Sequence, residues 1–175
     1  MSAENCSVDI QAVVVGSGVI EAVAMFNNTV MGVDVSKTSG GTVSLHLDLK
    51  DKYLWNVGEG NLYDLELRFN KDKVSSYFGL RSIRFDGMKF LLNGKSVFQR
   101  LVLDQGFYPD GIYTAPSDEA MINDIQISLD AGFNGARLHE KIFEPRFLYH
   151  CDRMGYLVWG EYPNWGLDHS DPEAI

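Results

Sequence analysis

The sequence has few cysteines, a deficit of basic charge and no long hydrophobic run. Two cysteines, Cys6 and Cys151, stand among 175 residues, which excludes a disulfide framework. There are 15 basic and 24 acidic side chains, and the net charge is −9. This balance argues against a nucleic-acid partner, because phosphate binding needs clustered lysine and arginine. No run of about 18 apolar residues occurs, so no membrane span is predicted.

Motifs for cofactors, metals and export are also missing. Gly16-Ser17-Gly18 follows an apolar strand, but Glu21 stands where a dinucleotide-binding turn needs its third glycine, so a hairpin turn is predicted. The cysteines and the four histidines show no metal-ligand spacing. No signal peptide is visible at the N-terminus, so a cytoplasmic or a periplasmic location fits equally well. The sequence therefore predicts no cofactor and no metal ion.

Residues 1–84 have the pattern of short β-strands. Apolar and polar side chains alternate in five segments, which are residues 8–14, 20–26, 31–35, 43–49 and 63–69. Such alternation gives each strand one buried face and one wet face. Turn-forming residues such as Gly58-Glu59-Gly60 separate the segments. An immunoglobulin-like antiparallel β-sandwich is therefore predicted for residues 1–84.

Residues 85–175 have a different rhythm. Strands are predicted at 89–92, 97–103, 134–138 and 156–159, and helices at 117–131 and 145–154. The last strand has almost no polar side chains, which is typical of a parallel strand buried on both faces. The order strand, helix, strand, helix, strand indicates a parallel α/β segment. A complete (β/α)₈ barrel needs about 250 residues and cannot fit.

Polar and aromatic side chains follow the ends of these predicted strands. The strand ends carry, in chain order, Asp104 and Gln105 after the first strand, Arg137, His139 and Glu140 after the second, and Glu161, Asn164 and Trp165 after the last. The carboxyl ends of parallel strands usually carry the chemistry of α/β folds. A mixture of carboxylate, imidazole and indole groups suits a carbohydrate. The alternative is that Arg137 and Glu161 form a structural ion pair and that the tryptophans are core, and the residues by themselves leave both open.

Five motifs resemble those of glycoside hydrolase family 2, the family of β-galactosidases and β-glucuronidases. Residues 54–65 resemble the "LW…NLY-x-L" entry of its sandwich domain, and residues 78–81 its "F-G-apolar-R" end. Residues 90–95 resemble the "F-x-L-N-G-K" hairpin that opens its barrel. Residues 132–137 and 151–161 resemble the "G-[FY]-N-x-x-R" second strand and the "C-D-x-x-G-[LI]-x-V-x-x-E" run into the third. The five motifs occur in the order of the family.

The resemblance implies a sandwich domain at 1–84 and an incomplete (β/α)₈ barrel, with its first three strands and two helices, at 85–175. It implies retaining hydrolysis of β-glycosides by a pair of carboxylates. In the family these follow the fourth and seventh barrel strands, so both catalytic glutamates are expected outside this chain, which is expected to be inactive alone. Inside the chain the resemblance implies substrate-binding or supporting roles for Asp104, Asn134, Arg137, His139, Glu161 and Trp165.

The chain departs from the family pattern in two places. His139 stands one position earlier than the histidine of the family's "R-x-S-H-Y-P", and the family's "G-x-N-x-H" is replaced by residues 101–106 with an aromatic loop behind them. Sugar specificity is therefore expected to differ from that of an ordinary β-galactosidase. A carbohydrate substrate is the expected partner, and a non-catalytic carbohydrate-binding or scaffold module is the competing hypothesis. An unclosed barrel leaves an unpaired strand edge, which predicts self-association.

Overall fold

The structure is a computed structural model, and it describes residues 1–166, 168, 170, 171 and 173. The chain forms two compact units, Met1–Val97 and Phe98–Ile175. The hairpin at residues 83–96 thus belongs to the first unit, whereas the sequence placed the domain boundary at 84/85. Each unit is described by itself below.

The first unit is built from antiparallel strands. A two-stranded sheet pairs β1 with β4, a four-stranded sheet has the order β3-β2-β5-β6, and a three-stranded sheet has the order β7-β8-β9. The strands are β1 (Ser7–Val14), β2 (Gly18–Phe26), β3 (Thr29–Thr38), β4 (Gly41–Asp48), β5 (Tyr63–Phe69), β6 (Asp72–Phe78), β7 (Ile83–Asp86), β8 (Lys89–Leu92) and β9 (Lys95–Ser96).

The inner faces of the first two sheets share one core. Buried Val8 and Leu45 from the two-stranded sheet pack in the same cluster as Ile20 and Ala22 from the four-stranded sheet. The period-two prediction is confirmed for these strands, but Val33 and Val35 of β3 are exposed. The register of β3 against β2 shifts between Ala24 and Met25, and such an extra residue turns the following side chains to the other face.

The second unit contains the β-α-β-α-β order that the sequence predicted. Its elements are β10 (Leu101–Asp104), α1 (Asp118–Asp130), β11 (Gly135–Leu138), α2 (Pro145–Met154) and β12 (Leu157–Gly160). All pairings of the sheet β10-β11-β12 are parallel. Neither helix, over the described part of the chain, has the length or the hydropathy to cross a lipid bilayer.

Local sequence signals explain where both helices begin and end. The Ser117 side chain accepts a hydrogen bond from the backbone N–H of Ala120 at 3.3 Å and caps α1. Pro145 occupies the first turn of α2, where its missing N–H costs nothing. Gly155 ends α2 in the left-handed conformation at φ 68°, which glycine adopts without a steric penalty.

The two helices cover one face of the parallel sheet. Ala136 and Leu138 of β11 pack in a buried cluster with Met121 of α1 and Cys151 of α2. The alternate side chains point away from this cluster, and towards the carboxyl ends of the strands they are open to solvent, as shown by Leu103 (53% exposed), Arg137 and Trp159 (47% exposed). The expectation that β12 is buried on both faces is therefore wrong for its later residues.

Candidate functional site

An ion pair joins the carboxyl ends of β11 and β12. Arg137 pairs with Trp159 in the register of the sheet, and Glu161 follows β12 directly. The Arg137 Nε group donates to Glu161 Oε1. The guanidinium holds the pKa of Glu161 below its usual range, because a neighbouring cation favours the ionised carboxylate. This pair fixes both side chains on the open face of the sheet.

A second carboxylate extends the network around Glu161. The backbone N–H of Glu140 donates to Glu161 Oε2 at 3.3 Å, and Glu140 Oε2 accepts from the backbone N–H of Asn164 at 3.0 Å. Glu140 has a positive φ of 55°, a conformation that costs a residue with a side chain about 1–2 kcal/mol. The segment after β11 is thus tied to the segment after β12.

His139 and Trp165 form the aromatic part of this edge. Their ring centroids lie 5.7 Å apart with an edge-to-face angle of 87°. Trp165 is 80% exposed, so most of its indole surface is available to a ligand. The backbone N–H of His139 donates to the Asp104 carbonyl at 2.8 Å, which places the end of β10 beside the same residue.

Asp104 turns its side chain into the loop that follows β10. Its Oδ1 accepts from the backbone N–H of Gly106 at 2.7 Å, and the Lys141 Nζ group donates to the Gly106 carbonyl at 2.9 Å. Burial raises the pKa of the Asp104 carboxyl, and burial also lowers the pKa of Lys141. Asp104 therefore shapes the loop at the strand end, and its acidity is weakened by desolvation.

Asn134 lies at the opposite end of β11 from the other candidates. It precedes β11 and is buried. Its Nδ2 group donates to the Phe98 carbonyl at 2.8 Å, and its Oδ1 accepts from the backbone N–H of Arg100 at 2.8 Å. Both ends of the amide thus hold the segment before β10. The structure thus brings together Asp104, Arg137, His139, Glu161 and Trp165, and leaves Asn134 apart.

One side chain of the network was not singled out in the sequence. Lys141 follows Glu140, which already belongs to the polar residues at the end of the predicted strand. A lysine this close to a strand end was a usable signal, because strand ends in parallel sheets carry polar functional groups. The resemblance drew attention to the displaced histidine instead.

Three side chains of this edge could hold a metal ion. One ligand atom each of His139, Glu140 and Glu161 lies within 4.8 Å of the others, and imidazole with carboxylate is a common ligand set for divalent transition metals. Arg137 already binds Glu161, so an ion would have to compete with the guanidinium for that carboxylate.

Comparison with known proteins identifies the class. The chain is 30% identical over 164 residues to a β-galactosidase of Leuconostoc mesenteroides, a match that covers 90% of the chain and 15% of that protein. It is 29% identical over 139 residues to a β-glucuronidase of Streptococcus agalactiae, covering 75% of the chain and 23% of that protein. Both relatives are glycoside hydrolases. No protein-family model matches the chain.

A solved structure extends the likeness to the fold. A glycosyl hydrolase family 2 member from Bacteroides cellulosilyticus superposes with a TM-score of 0.79 at 25% identity, over 92% of this chain and 24% of that one. Most of the chain is thus similar to a fragment of glycoside hydrolase family 2 members. It spans about 15% of the length of the L. mesenteroides relative.

Proposed function

We propose that the chain is part of a retaining β-glycosidase. Its first unit is an immunoglobulin-like sandwich domain, and its second unit is the beginning of a (β/α)₈ barrel. The observation that carries this proposal is a parallel sheet with helices on one face and an open face with the Arg137–Glu161 pair at its carboxyl edge. Parallel sheets are found almost only with both faces covered. In a barrel the open face is the packed interior.

Arg137 is then a positioning residue for a catalytic carboxylate. Retaining glycosidases use two carboxylates about 5–5.5 Å apart, one as the nucleophile and one as the acid/base. A guanidinium beside the nucleophile keeps it ionised. Glu161 is a poor candidate for the acid/base, because Arg137 holds its pKa below the usual range and an acid catalyst must carry a proton. The family motif aligns it with the glutamate after the third barrel strand and not with the nucleophile. The two catalytic glutamates belong to segments outside these residues.

The remaining side chains of the edge suit sugar hydroxyls. His139 and Glu140 offer an imidazole and a carboxylate beside Trp165, and Asp104 fixes the neighbouring loop. A flat exposed indole stacks on the apolar face of a pyranose, and the polar groups around it accept or donate hydrogen bonds.

The test compares the chain alone with the longer protein of which, in this proposal, it is a part. The longer protein is expected to hydrolyse p-nitrophenyl β-galactoside or β-glucuronide, and the chain alone is expected to release no nitrophenol. In the longer protein, Arg137→Ala is expected to lower kcat by 10²-fold or more, on the order of the loss of one transition-state donor.

Arg84→Ala is the matched control, because Arg84 is an exposed arginine on β7 in the first unit. It is expected to leave kcat unchanged. Turnover by the chain alone that Arg137→Ala abolishes would contradict the assignment of the catalytic carboxylates. Saturable sugar binding without hydrolysis by the longer protein would favour a non-catalytic carbohydrate-binding module instead.

A further inference from the structure

The loop between β10 and α1 has a fixed conformation. Tyr108 and Ile112 exchange two backbone hydrogen bonds, at 2.8 and 3.0 Å, and Thr114 N–H donates to the Gly111 carbonyl at 3.0 Å. A Cβ atom on Gly111 would lie 2.1 Å from the Thr114 carbonyl oxygen, so only glycine fits there. Residues 105–114, named here the aromatic loop, therefore form a closed turn.

Two side chains anchor the aromatic loop to the second unit. Tyr108 packs against the buried cluster beneath the helices, and burial raises the pKa of its hydroxyl. Lys141 donates to the Gly106 carbonyl, and its Nζ lies 4.4 Å from the ring centroid of Tyr113 and 4.7 Å from that of Phe143. A half-buried ammonium over two rings is a stabilising cation–π arrangement. The loop is thus held at both ends.

The same loop exposes two aromatic rings to solvent. Phe107 is 59% exposed and Tyr113 is 55% exposed, with ring centroids 4.7 Å apart and an interplanar angle of 35°. Ile112 beside them is also exposed. Apolar side chains held in an exposed cluster by an ordered loop usually mark a binding surface. The cluster belongs to the loop that directly follows Asp104, at the carboxyl edge of the sheet.

We propose that Phe107 and Tyr113 form a stacking subsite for a neutral pyranose ring of the substrate. The proposal rests on the proposed glycosidase function and adds a specificity-determining contact to it. Two tilted rings match the apolar C–H face of a pyranose. Lys141 lies against the loop, and its ammonium group is bonded to the Gly106 carbonyl and covered by the Tyr113 and Phe143 rings. Recognition at Phe107 and Tyr113 is therefore by stacking on C–H groups, which suits an uncharged sugar.

Binding by the chain itself tests the subsite without any need for turnover. Saturation-transfer NMR with lactose and with sodium glucuronate is the measurement. Transfer to the ring protons of lactose is expected for the unaltered chain, and Phe107→Ala is expected to weaken the affinity about three- to tenfold, as the loss of one ring contact. Phe107→Trp is expected to restore it. Glucuronate is expected to bind no better than lactose.

Phe85→Ala is the matched control, because Phe85 is an equally exposed phenylalanine on β7 in the first unit. It is expected to leave lactose binding unchanged. Equal affinities of the Phe107→Ala and unaltered chains would overturn the subsite, as would stronger binding of glucuronate than of lactose. Absence of lactose binding by the folded chain would also overturn it.

The longer protein separates this inference from the proposed function. If it hydrolyses β-glycosides while Phe107→Ala leaves KM for lactose unchanged, the subsite is refuted and the glycosidase function stands, with another segment covering the loop. If the longer protein is inactive on every β-glycoside, the glycosidase function fails. Lactose binding that depends on Phe107 would then leave a sugar site on a non-hydrolytic protein.

Discussion

Replacing Asn134 separates a structural role from a role in substrate binding. In Asn134→Ala the Phe98 carbonyl and the Arg100 N–H lose partners at 2.8 Å each. A part-buried polar group left without its hydrogen bond costs about 1–3 kcal/mol. Because water reaches both groups in part, we expect the free energy of unfolding of the second unit to fall by about 2–4 kcal/mol.

Amide hydrogen exchange of α1 and α2 in increasing urea measures this loss, since both helices lie within the second unit. Asn134→Asp is a useful second variant. Its carboxylate can still accept a hydrogen bond from the Arg100 N–H, but it places a second acceptor oxygen against the Phe98 carbonyl, where Asn134 donated. It is expected to be destabilised as well. A change below about 0.5 kcal/mol in Asn134→Ala, the size of an ordinary surface substitution, would refute the structural role. A loss of sugar affinity with unchanged stability would restore Asn134 to the substrate side.

Two further predictions concern the surface of each unit. In the first unit, Asp9 and then Asp48 raise the pKa of His46, through contacts of 2.6 and 3.3 Å, and His46 lowers the pKa of Asp9. The His46 contribution to stability is fully present below its unfolded pKa of about 6.5 and is lost as the pH rises through the higher folded value. The Asp9 contribution is lost as the pH falls below about 3.8. His46→Gln should therefore reduce the dependence of the melting temperature on pH between pH 5 and 8. An unchanged dependence would contradict the contribution of His46 to stability. In the second unit, β12 is an edge strand of its sheet, and its Val158 side chain is exposed. Val158→Lys is therefore expected to reduce self-association, measured by light scattering. A monodisperse unaltered chain would contradict self-association through this edge.

Local signals were sufficient for the helices and for most strands. Pro145 and Gly155 mark the ends of α2, and Ser117 caps α1, so both helices were predicted with little error. β6 was missed because its side chains are mostly exposed and carry no apolar period. β10 begins later than predicted, since Asn134 binds the backbone of residues 98 and 100 outside the strand.

The types of side chain in the candidate site could be predicted from the sequence, but the contacts between them could not. The carboxyl-end rule for parallel strands pointed to Asp104, Arg137, His139, Glu161 and Trp165, and these meet at one edge. Asn134 belongs to the same motif as Arg137 yet lies at the other end of β11. Four residues of a strand span about 13 Å. The motif does not show that two of its residues separated by this distance have different roles.

The sequence by itself determined the order of elements in the second unit and the family resemblance, because both depend on short-range patterns such as caps, turns, alternation and motif order. Only the tertiary structure decided which faces are open and which side chains meet. The open face of the parallel sheet, the Glu140 link and the contact of Lys141 with the Tyr113 ring all depend on residues distant in the chain. Such contacts follow from the packing of whole elements, which local propensity does not encode.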